Sequence, residues 1–479
     1  MRELNELYAK IVRERLEENM KSGAAAVEYM RSSTAIYQGE PVACLYMPKI
    51  FSQRAYEFLC EAASQTCQIL DKVIARYLCD KQYRALFAFP AELEELILSE
   101  AGYEQLLPIA RLDIFFNEDD FSFQFCEFNA DGASAMNEVR EVNNALRGSD
   151  AFVEMGRRLR RPIVSSLATS RSEDDSLCMG ECRKLQSFEL FDSWVREFGE
   201  VLPLFSDCSV VGMSPRSLDC LLKSGKSGCV AIVDFMDKTT PNELVEFKKA
   251  FERAGYDTVI AEIRDLKYVN GSLLTPCGKR IGAIYRRAVT CDIMRQKDSV
   301  QDFLQAARDN AVYIVGHFRT QVIHNKIVFK ILRMAETLDF LTEAEREFVL
   351  RHIPETLNLT AETISKTDVL QNKNAWLIKP EDLYGSRGVY AGVDMDEAAW
   401  AKLVNDNADT GYLLQKYCQP YRTENLDFND SPRPDFKMYN NITGMFVYNG
   451  KLQGLYSRAG LRGTISTYAK GLTMGSVRA

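Results

Sequence analysis

The sequence predicts a mixed protein, part α/β and part α+β, with helices at its N-terminus. Three patterns carry this. Apolar residues recur at helical spacing over roughly the first hundred positions. Strands and helices alternate between about 205 and 320, which implies a parallel, Rossmann-like sheet. Strands and glycine-bearing turns dominate the last hundred or so residues. At 479 residues the chain has roughly three domains' length. The regions expected are 1–160, 161–320 and 321–479.

Each element follows in order. Residues 1 to about 36 read as helix, with Leu4, Leu7, Ile11 and Leu16 roughly on one face. A longer helix over 53–79 carries Leu59, Ala62, Ala63, Leu70, Val73 and Ile74 at helical spacing. Shorter helical stretches fill 90–107. The period then becomes two: Arg111–Phe116 and Phe121–Asn129 are strands, and the polar turn Asn117–Asp120 makes them a hairpin. The Ser-, Asp- and Glu-rich stretch at 165–185 is a candidate linker. Val230–Phe235 is a short apolar run suited to a buried parallel strand. A capping box over Thr240–Glu243 is expected to open the next helix, which stops at Gly255. Thr258–Ile263, Ile281–Tyr285 and Val312–Val315 read as further strands. Residues 321–353 are helical, with a second capping box at Thr342–Glu345. Trp376–Lys379, Gly388–Gly392, Tyr412–Tyr417, Lys437–Asn449 and Lys451–Tyr456 read as strands.

Composition excludes several classes. Lysine and arginine total 59 against 67 acidic residues, a net charge of −8, which argues against wrapping nucleic acid. No run approaches the ~18 apolar residues of a membrane span. The histidines number 3, too few for a histidine-rich metal centre, although carboxylates remain as ligands. The 13 cysteines form no CxxC pair and no clustered framework, so reduced thiols and a cytoplasmic location are expected. Gly-x-Ser-x-Gly, HExxH and Gly-x-Gly-x-x-Gly are all absent.

Several constellations remain. Paired strands would place Arg111, Asp113, Glu127 and Asn129 on one hairpin face, because residues i and i+2 share a side. Two carboxylates and an amide oxygen are hard ligands suited to Mg²⁺ on nucleotide phosphates. An ordinary solvated sheet face would carry the same residues. In Lys379-Pro380-Glu381-Asp382-Leu383-Tyr384-Gly385-Ser386-Arg387-Gly388 a strand delivers a lysine to a glycine loop. Backbone N–H groups there can turn toward phosphate oxygens, and a simple hairpin is the plainer alternative. The strand holding Gln415 and Tyr417 could offer a backbone edge to an adenine ring, or be an ordinary strand. Arg458 ends a strand before a glycine turn, and a surface arginine would look the same. His324-Asn325-Lys326 reads as a helix start, and Arg286-Arg287 lie at the carboxyl edge of the parallel sheet, where ligands usually bind.

Taken together these segments resemble the glutathionylspermidine synthase-like, circularly permuted ATP-grasp ligases. Arg111-x-Asp113 and Glu127-Phe128-Asn129-Ala130-Asp131 are similar to that family's metal-binding strands. Tyr285-Arg286-Arg287 is similar to its Rossmann-like pre-ATP-grasp domain. Asn325-Lys326 and Ile353-Pro354-Glu355-Thr356 are similar to its central helical part. Lys379-Pro380 with Tyr384-Gly385 and Gly388-Val389 looks like its glycine loop, and Leu414-Gln415-Lys416-Tyr417 like its adenine-side strand. The metal-type motif precedes the lysine strand, which is the permuted order. Two departures stand out. The region before residue 111 is too short for the amidase domain of the bifunctional synthases. Gly132-Ala133-Ser134-Ala135-Met136 also replaces their Thr-Pro-Thr-Ser, so their substrates are not carried over.

The resemblance implies an ATP-dependent ligase that joins a small-molecule or peptide carboxylate to an amine through an acyl phosphate. Asp113, Glu127 and Asn129 would hold Mg²⁺. Lys326 and Lys379 would hold the α/β-phosphates under a loop of Tyr384, Gly385, Ser386 and Gly388. Gln415 and Tyr417 would lie beside the adenine, and Arg111 and Arg458 would stabilise the transferred phosphoryl group. The first and last regions are expected to build one split site. Neither nucleic acid nor a membrane is an expected partner. The rival class is an inactive ATP-binding scaffold or partner protein. An NAD-dependent enzyme on the 205–320 region is weaker, because the glycine fingerprint is missing.

Overall fold

The computed structural model describes residues 1–160, 184–202, 228–465 and 471–479. The candidate linker at 165–185 falls almost wholly outside them, as does the start of the alternating region before 228.

The N-terminal helix is two helices, α1 (Arg2–Glu14) and α2 (Leu16–Ser32). Arg15 leaves the helical region at the break, and its guanidinium binds Asp150 at 2.5 and 2.7 Å. Helix α3 (Gln53–Cys79) starts at Ser52, whose side chain accepts from the Ala55 N–H. Its Leu59, Ala63, Leu70 and Ile74 enter the largest core, together with residues of two sheets.

Strands β1 (Ile109–Phe116) and β2 (Phe123–Asn129) form the expected antiparallel hairpin, with Arg111 opposite Asn129 and Asp113 opposite Glu127. Ala110, Leu112, Ile114 and Phe116 face the core, so Arg111 and Asp113 face away. Strand β2 keeps this arrangement only through a bulge. Ile114 pairs with Phe125 while Asp113 pairs with Glu127, leaving Cys126 as the extra residue. The bulge switches phase, so Phe125 and Phe128 both reach the core and Glu127 and Asn129 face the other side. Helices α4 (Met136–Arg147) and α5 (Asp150–Leu159) follow and were not expected, although Val139, Val142 and Leu146 recur at helical spacing.

The parallel sheet runs in the order β6-β5-β3-β4, with β3 (Cys229–Asp234), β4 (Thr258–Glu262), β5 (Ile281–Arg286) and β6 (Tyr313–Val315). Strands β3 and β5 are buried throughout, which explains their unbroken apolar runs. Helix α6 (Pro241–Arg253) ends as expected. Gly255 takes φ +91, the Tyr256 N–H reaches the Phe251 carbonyl, and the two rings touch at 5.6 Å. Its start differs: the Glu243 N–H donates to the Thr240 carbonyl rather than its hydroxyl, and the Glu243 carboxylate is committed to Arg287 and the Asn137 N–H instead of completing the box.

The 321–353 stretch is a chain of short helices rather than one long one. Helix α7 (Gln321–His324) ends where a helix start was expected. Asn325 is extended, its Oδ1 accepts from the Ile327 N–H, and the next short helix begins at Val328. Helix α8 (Glu343–His352) has the full capping box of Thr342 and Glu345.

A third sheet has the order β7-β10-β8-β9, all antiparallel, from β7 (Thr356–Asn358), β8 (Trp376–Pro380), β9 (Tyr390–Ala391) and β10 (Tyr412–Lys416). The helix Glu397–Asp406 between β9 and β10 was not expected; its Trp400 and Val404 pack with Trp376, Ile378 and Leu414. Strands β11 (Lys437–Tyr448) and β12 (Lys451–Gly460) join β1 and β2 in a six-stranded antiparallel sheet. Residues near 111 and near 444 thereby become neighbours. No helix among the described residues is long and apolar enough to cross a membrane.

Candidate functional site

A cleft lies where the six-stranded sheet, the carboxyl edge of the parallel sheet and the loop after β8 meet. Its open space is about 1270 Å³, part of it continuous with solvent. Arg111, Asp113, Glu127, Asn129, Tyr384, Gly385, Ser386 and Arg458 all line it. Lys326, Lys379, Gly388, Gln415 and Tyr417 are not among its lining residues.

On the sheet floor, Arg111 holds Asp113 bidentately, at 2.7 and 2.8 Å. The Asn129 amide donates to Asp113 at 3.1 Å and to Glu127 at 3.4 Å. Gly444 lies opposite Asp113 on β11. A methyl group there would sit 2.8 Å from Asp113 Oδ1 and 2.9 Å from Arg111 Cδ, so the ion pair needs glycine beside it. Arg111 and Arg458 both lie 5.1 Å from the Tyr456 ring centre, and Arg458 approaches Glu138 at 3.6 Å.

The two carboxylates diverge electrostatically. Burial pushes both up, but the charges of Lys326, Arg111 and Lys379 overcome it at Glu127 and hold that carboxyl below its ordinary range. At Asp113 burial prevails over Arg111, helped by the like charge of Glu127, and the carboxyl is raised. Among the described residues no three His, Cys, Asp or Glu side chains come together as a metal-binding group. The hard donors here are two carboxylates and the Asn129 amide oxygen.

The lysines sit behind the floor. Lys379 is the last residue but one of β8, is buried, and donates to the Cys126 carbonyl at 3.2 Å. The β2 bulge leaves Cys126 outside the register that pairs β2 with β1. Burial, with the like charge of Lys326, pushes the Lys379 ammonium down to about 8. Lys326 donates to the Leu383 carbonyl and so ties α7 to the glycine loop. That loop places Gly385, Ser386 and Gly388 at φ +66, +58 and +73. Ser386 has a Cβ and still adopts the left-handed region, a strain of about 1–3 kcal/mol of the kind found at ligand-binding loops. Tyr384 donates to Asp292 at 2.9 Å, and Asp292 also holds Lys238 at 2.7 Å.

Two expectations need correction. Strand β10 offers no open edge at Gln415. It pairs with β7 on one side and β8 on the other, and the Gln415 amide is buried on Thr356 at 2.7 Å. Tyr417 just beyond bonds Ala375 through its backbone and Gly463 through its hydroxyl. The arginine pair does lie at the carboxyl edge, with Arg287 lining the cleft, but it is largely spent. Arg286 binds Asp131 at 2.5 Å and Arg287 binds Glu243 at 2.7 Å, all four side chains being buried. These arginines fasten the loop after β2. The Ala133 carbonyl accepts from Arg287, and the Ser134 carbonyl accepts from Arg111 at 2.8 Å. Gly132 is required there, since a Cβ would meet the Arg287 carbonyl at 2.4 Å.

Sequence reasoning missed several lining residues: Asp234, Lys238, Asp292 and Glu138; Tyr456 and His324 also line the cleft, next in sequence to candidates but with no role assigned to them. Burial pushes the Asp234 carboxyl up to about 6. Its position at the end of β3 was a usable signal, because the carboxyl edge of a parallel sheet is where ligands collect.

No family model and no curated protein matches the sequence. Among solved structures, the fold is similar to a glutathione synthetase-like effector from Globodera pallida in its apo form. The TM-score is 0.53 with 11% identity, over 96% of this chain and 97% of that one. At that identity the likeness concerns the fold.

Proposed function

We propose that this chain is an ATP-dependent carboxylate–amine ligase of the circularly permuted ATP-grasp type, similar to the glutathionylspermidine synthases without their amidase domain. The observation that carries this reading is the convergence on one cleft. Strands far apart in sequence bring Arg111, Asp113, Glu127, Asn129 and Arg458 together under a glycine loop. The structural neighbour, a glutathione synthetase-like effector, fits the same chemistry.

Mg²⁺ is commonly held by one or two carboxylates plus substrate phosphates, and Glu127, Asn129 and Asp113 offer that donor set. The ion would neutralise charge on the phosphates. Lys326 and Lys379 would add cations from behind the floor, and the Tyr384–Gly388 segment would cover the phosphates and exclude water. The substrate carboxylate oxygen attacks the terminal phosphorus, the bond to the ADP oxygen breaks, and acyl phosphate forms. The amine then attacks the acyl carbon, phosphate leaves, and the nitrogen loses a proton. Arg111 and Arg458 would stabilise the transferred group and then the tetrahedral oxyanion.

The test is ADP release over a panel of amino acids and amines with Mg²⁺. Glu127→Ala is expected to abolish that release while the circular-dichroism spectrum and melting profile stay native. Undiminished amine-dependent release from this variant would sink the reading. One observation favours a second reading, an ATP-binding protein without turnover: Arg111 already occupies both oxygens of Asp113. Tight Mg·ATP binding without ADP release across the panel would select it.

A further inference from the structure

The three histidines are all buried, and two have evident structural duties. His317 contacts the Ser99 hydroxyl at 3.2 Å and accepts from the Arg319 N–H at 3.3 Å. His352 meets the Phe123 carbonyl at 2.8 Å and stacks on the Phe123 ring at 3.9 Å. His324 differs. It is 6% exposed, and neither ring nitrogen has a hydrogen-bond partner. A buried polar group left this way costs about 1–3 kcal/mol, so a protein that keeps one has a use for it.

His324 lines the candidate cleft, as do Glu127, Asp292, Tyr384 and Gly385. It is the last residue of α7, which packs against β2. The loop after β8 fixes this short helix from the other side. Gln321 donates to Asp382 at 2.8 Å, the Lys326 N–H reaches the Glu381 carbonyl at 2.9 Å, and the Lys326 ammonium reaches Leu383. The imidazole is therefore held between the strand of Glu127 and the glycine loop, where Lys326 and Lys379 also act on Glu127. A metal-ligand role lacks companions, because no group of three ligating His, Cys, Asp or Glu side chains occurs among the described residues. A neutral imidazole always presents one N–H donor, and Lys326, two residues on, favours an anion as its acceptor.

We propose that His324 donates a hydrogen bond to the terminal phosphoryl group of a bound nucleoside triphosphate. This rests on the nucleotide reading of the cleft and adds a recognition residue for the group that is transferred. An N–H aimed at an anionic oxygen is worth about tenfold to a hundredfold in affinity. His324 would thus separate triphosphate from diphosphate, holding the reactant and letting the product leave.

The test is calorimetric titration of the full chain with ATP and with ADP, each with Mg²⁺, for wild type, His324→Ala, His324→Asn and His324→Gln. His324→Ala is expected to lose about tenfold to a hundredfold in ATP affinity while ADP affinity stays within about twofold. Asn keeps a donor near Nδ1 and Gln one near Nε2, so one of them retains more ATP affinity than Ala. A purely structural imidazole would move ATP and ADP together, and that result overturns the proposal. No change in either affinity, or equal loss in all three variants, also overturns it. If wild type binds neither nucleotide, the nucleotide reading of the cleft fails first and this proposal falls with it.

Discussion

Replacing Lys379 by methionine should make the protein more stable at neutral pH and worse at holding ATP. The ammonium is buried near the end of β8 and lowered from 10.5 to about 8, chiefly by burial. Below pH 8 both the folded and unfolded chains carry the proton, and the fold bears the whole cost of the buried charge. Between about 8 and 10.5 the unfolded chain keeps a proton that the folded chain has lost, so stability rises with pH. Above 10.5 the cost is gone. That separation corresponds to about 3 kcal/mol at pH 7. Methionine keeps the stem and removes the charge, but it strips the Cys126 carbonyl of its donor, which costs about 1 kcal/mol. The net expectation is a gain of about 2 kcal/mol at pH 7, shrinking toward zero by about pH 9.5. Urea unfolding of both proteins at the two pH values measures it, and ATP titration checks the loss of binding. A variant less stable at pH 7, or a gap that does not narrow with pH, would refute the reasoning.

Three further substitutions separate structural from chemical roles. Gly444→Ala drives a methyl group into the Arg111–Asp113 pair, and overpacking of this kind costs about 1–3 kcal/mol in urea unfolding. The same change at Gly148, where nothing lies within 4 Å, should move stability far less and leave nucleotide binding intact. Glu243→Gln leaves the Arg287 guanidinium buried without its anion, a loss of about 3–5 kcal/mol by urea unfolding. A loss nearer 1 kcal/mol, the worth of an ordinary hydrogen bond, would refute the buried ion pair.

Local periodicity made much of the fold legible. The β1–β2 hairpin, α3 and the parallel strands each bury one face or both, and their apolar spacing records it. Helix α4 carried the same signal in Val139, Val142 and Leu146 and was passed over beside the polar loop before it. The Cys126 bulge was harder. A strict alternation puts Phe123, Phe125 and Glu127 on one face, and only the paired strand reveals that one extra residue turns Glu127 away from the core. The face shared by Arg111, Asp113, Glu127 and Asn129 was readable from i, i+2 spacing. What each group does once there was not, because its partner comes from elsewhere in the chain. Arg286 and Arg287 looked free in sequence and are spent on Asp131 and Glu243. Three histidines are too few for a histidine-rich metal centre, yet one of them lines the cleft with both nitrogens unpaired.

The pairing pattern around the cleft also separates its two ends. Arg111 has Asp113, Arg458 has Glu138, Arg287 has Glu243 and Lys238 has Asp292. These cations arrive already neutralised, so an incoming anion must compete with a carboxylate for each. Lys326 and Lys379 hydrogen-bond only carbonyl oxygens among the described residues, and carbonyls carry no full charge to displace. Burial and the like charge of Lys326 lower the Lys379 ammonium, and no carboxylate hydrogen-bonds it to offset them. A polyanion gains most where positive charge is least compensated, so phosphates belong at the lysine end, against Glu127 and the glycine loop. Binding there should raise the Lys379 ammonium again, and near pH 8 the complex takes up a proton as it forms. The paired arginines then suit the opposite task. A guanidinium already held by a carboxylate is fixed in orientation, and it meets a small developing charge without collapsing onto the ground-state ligand.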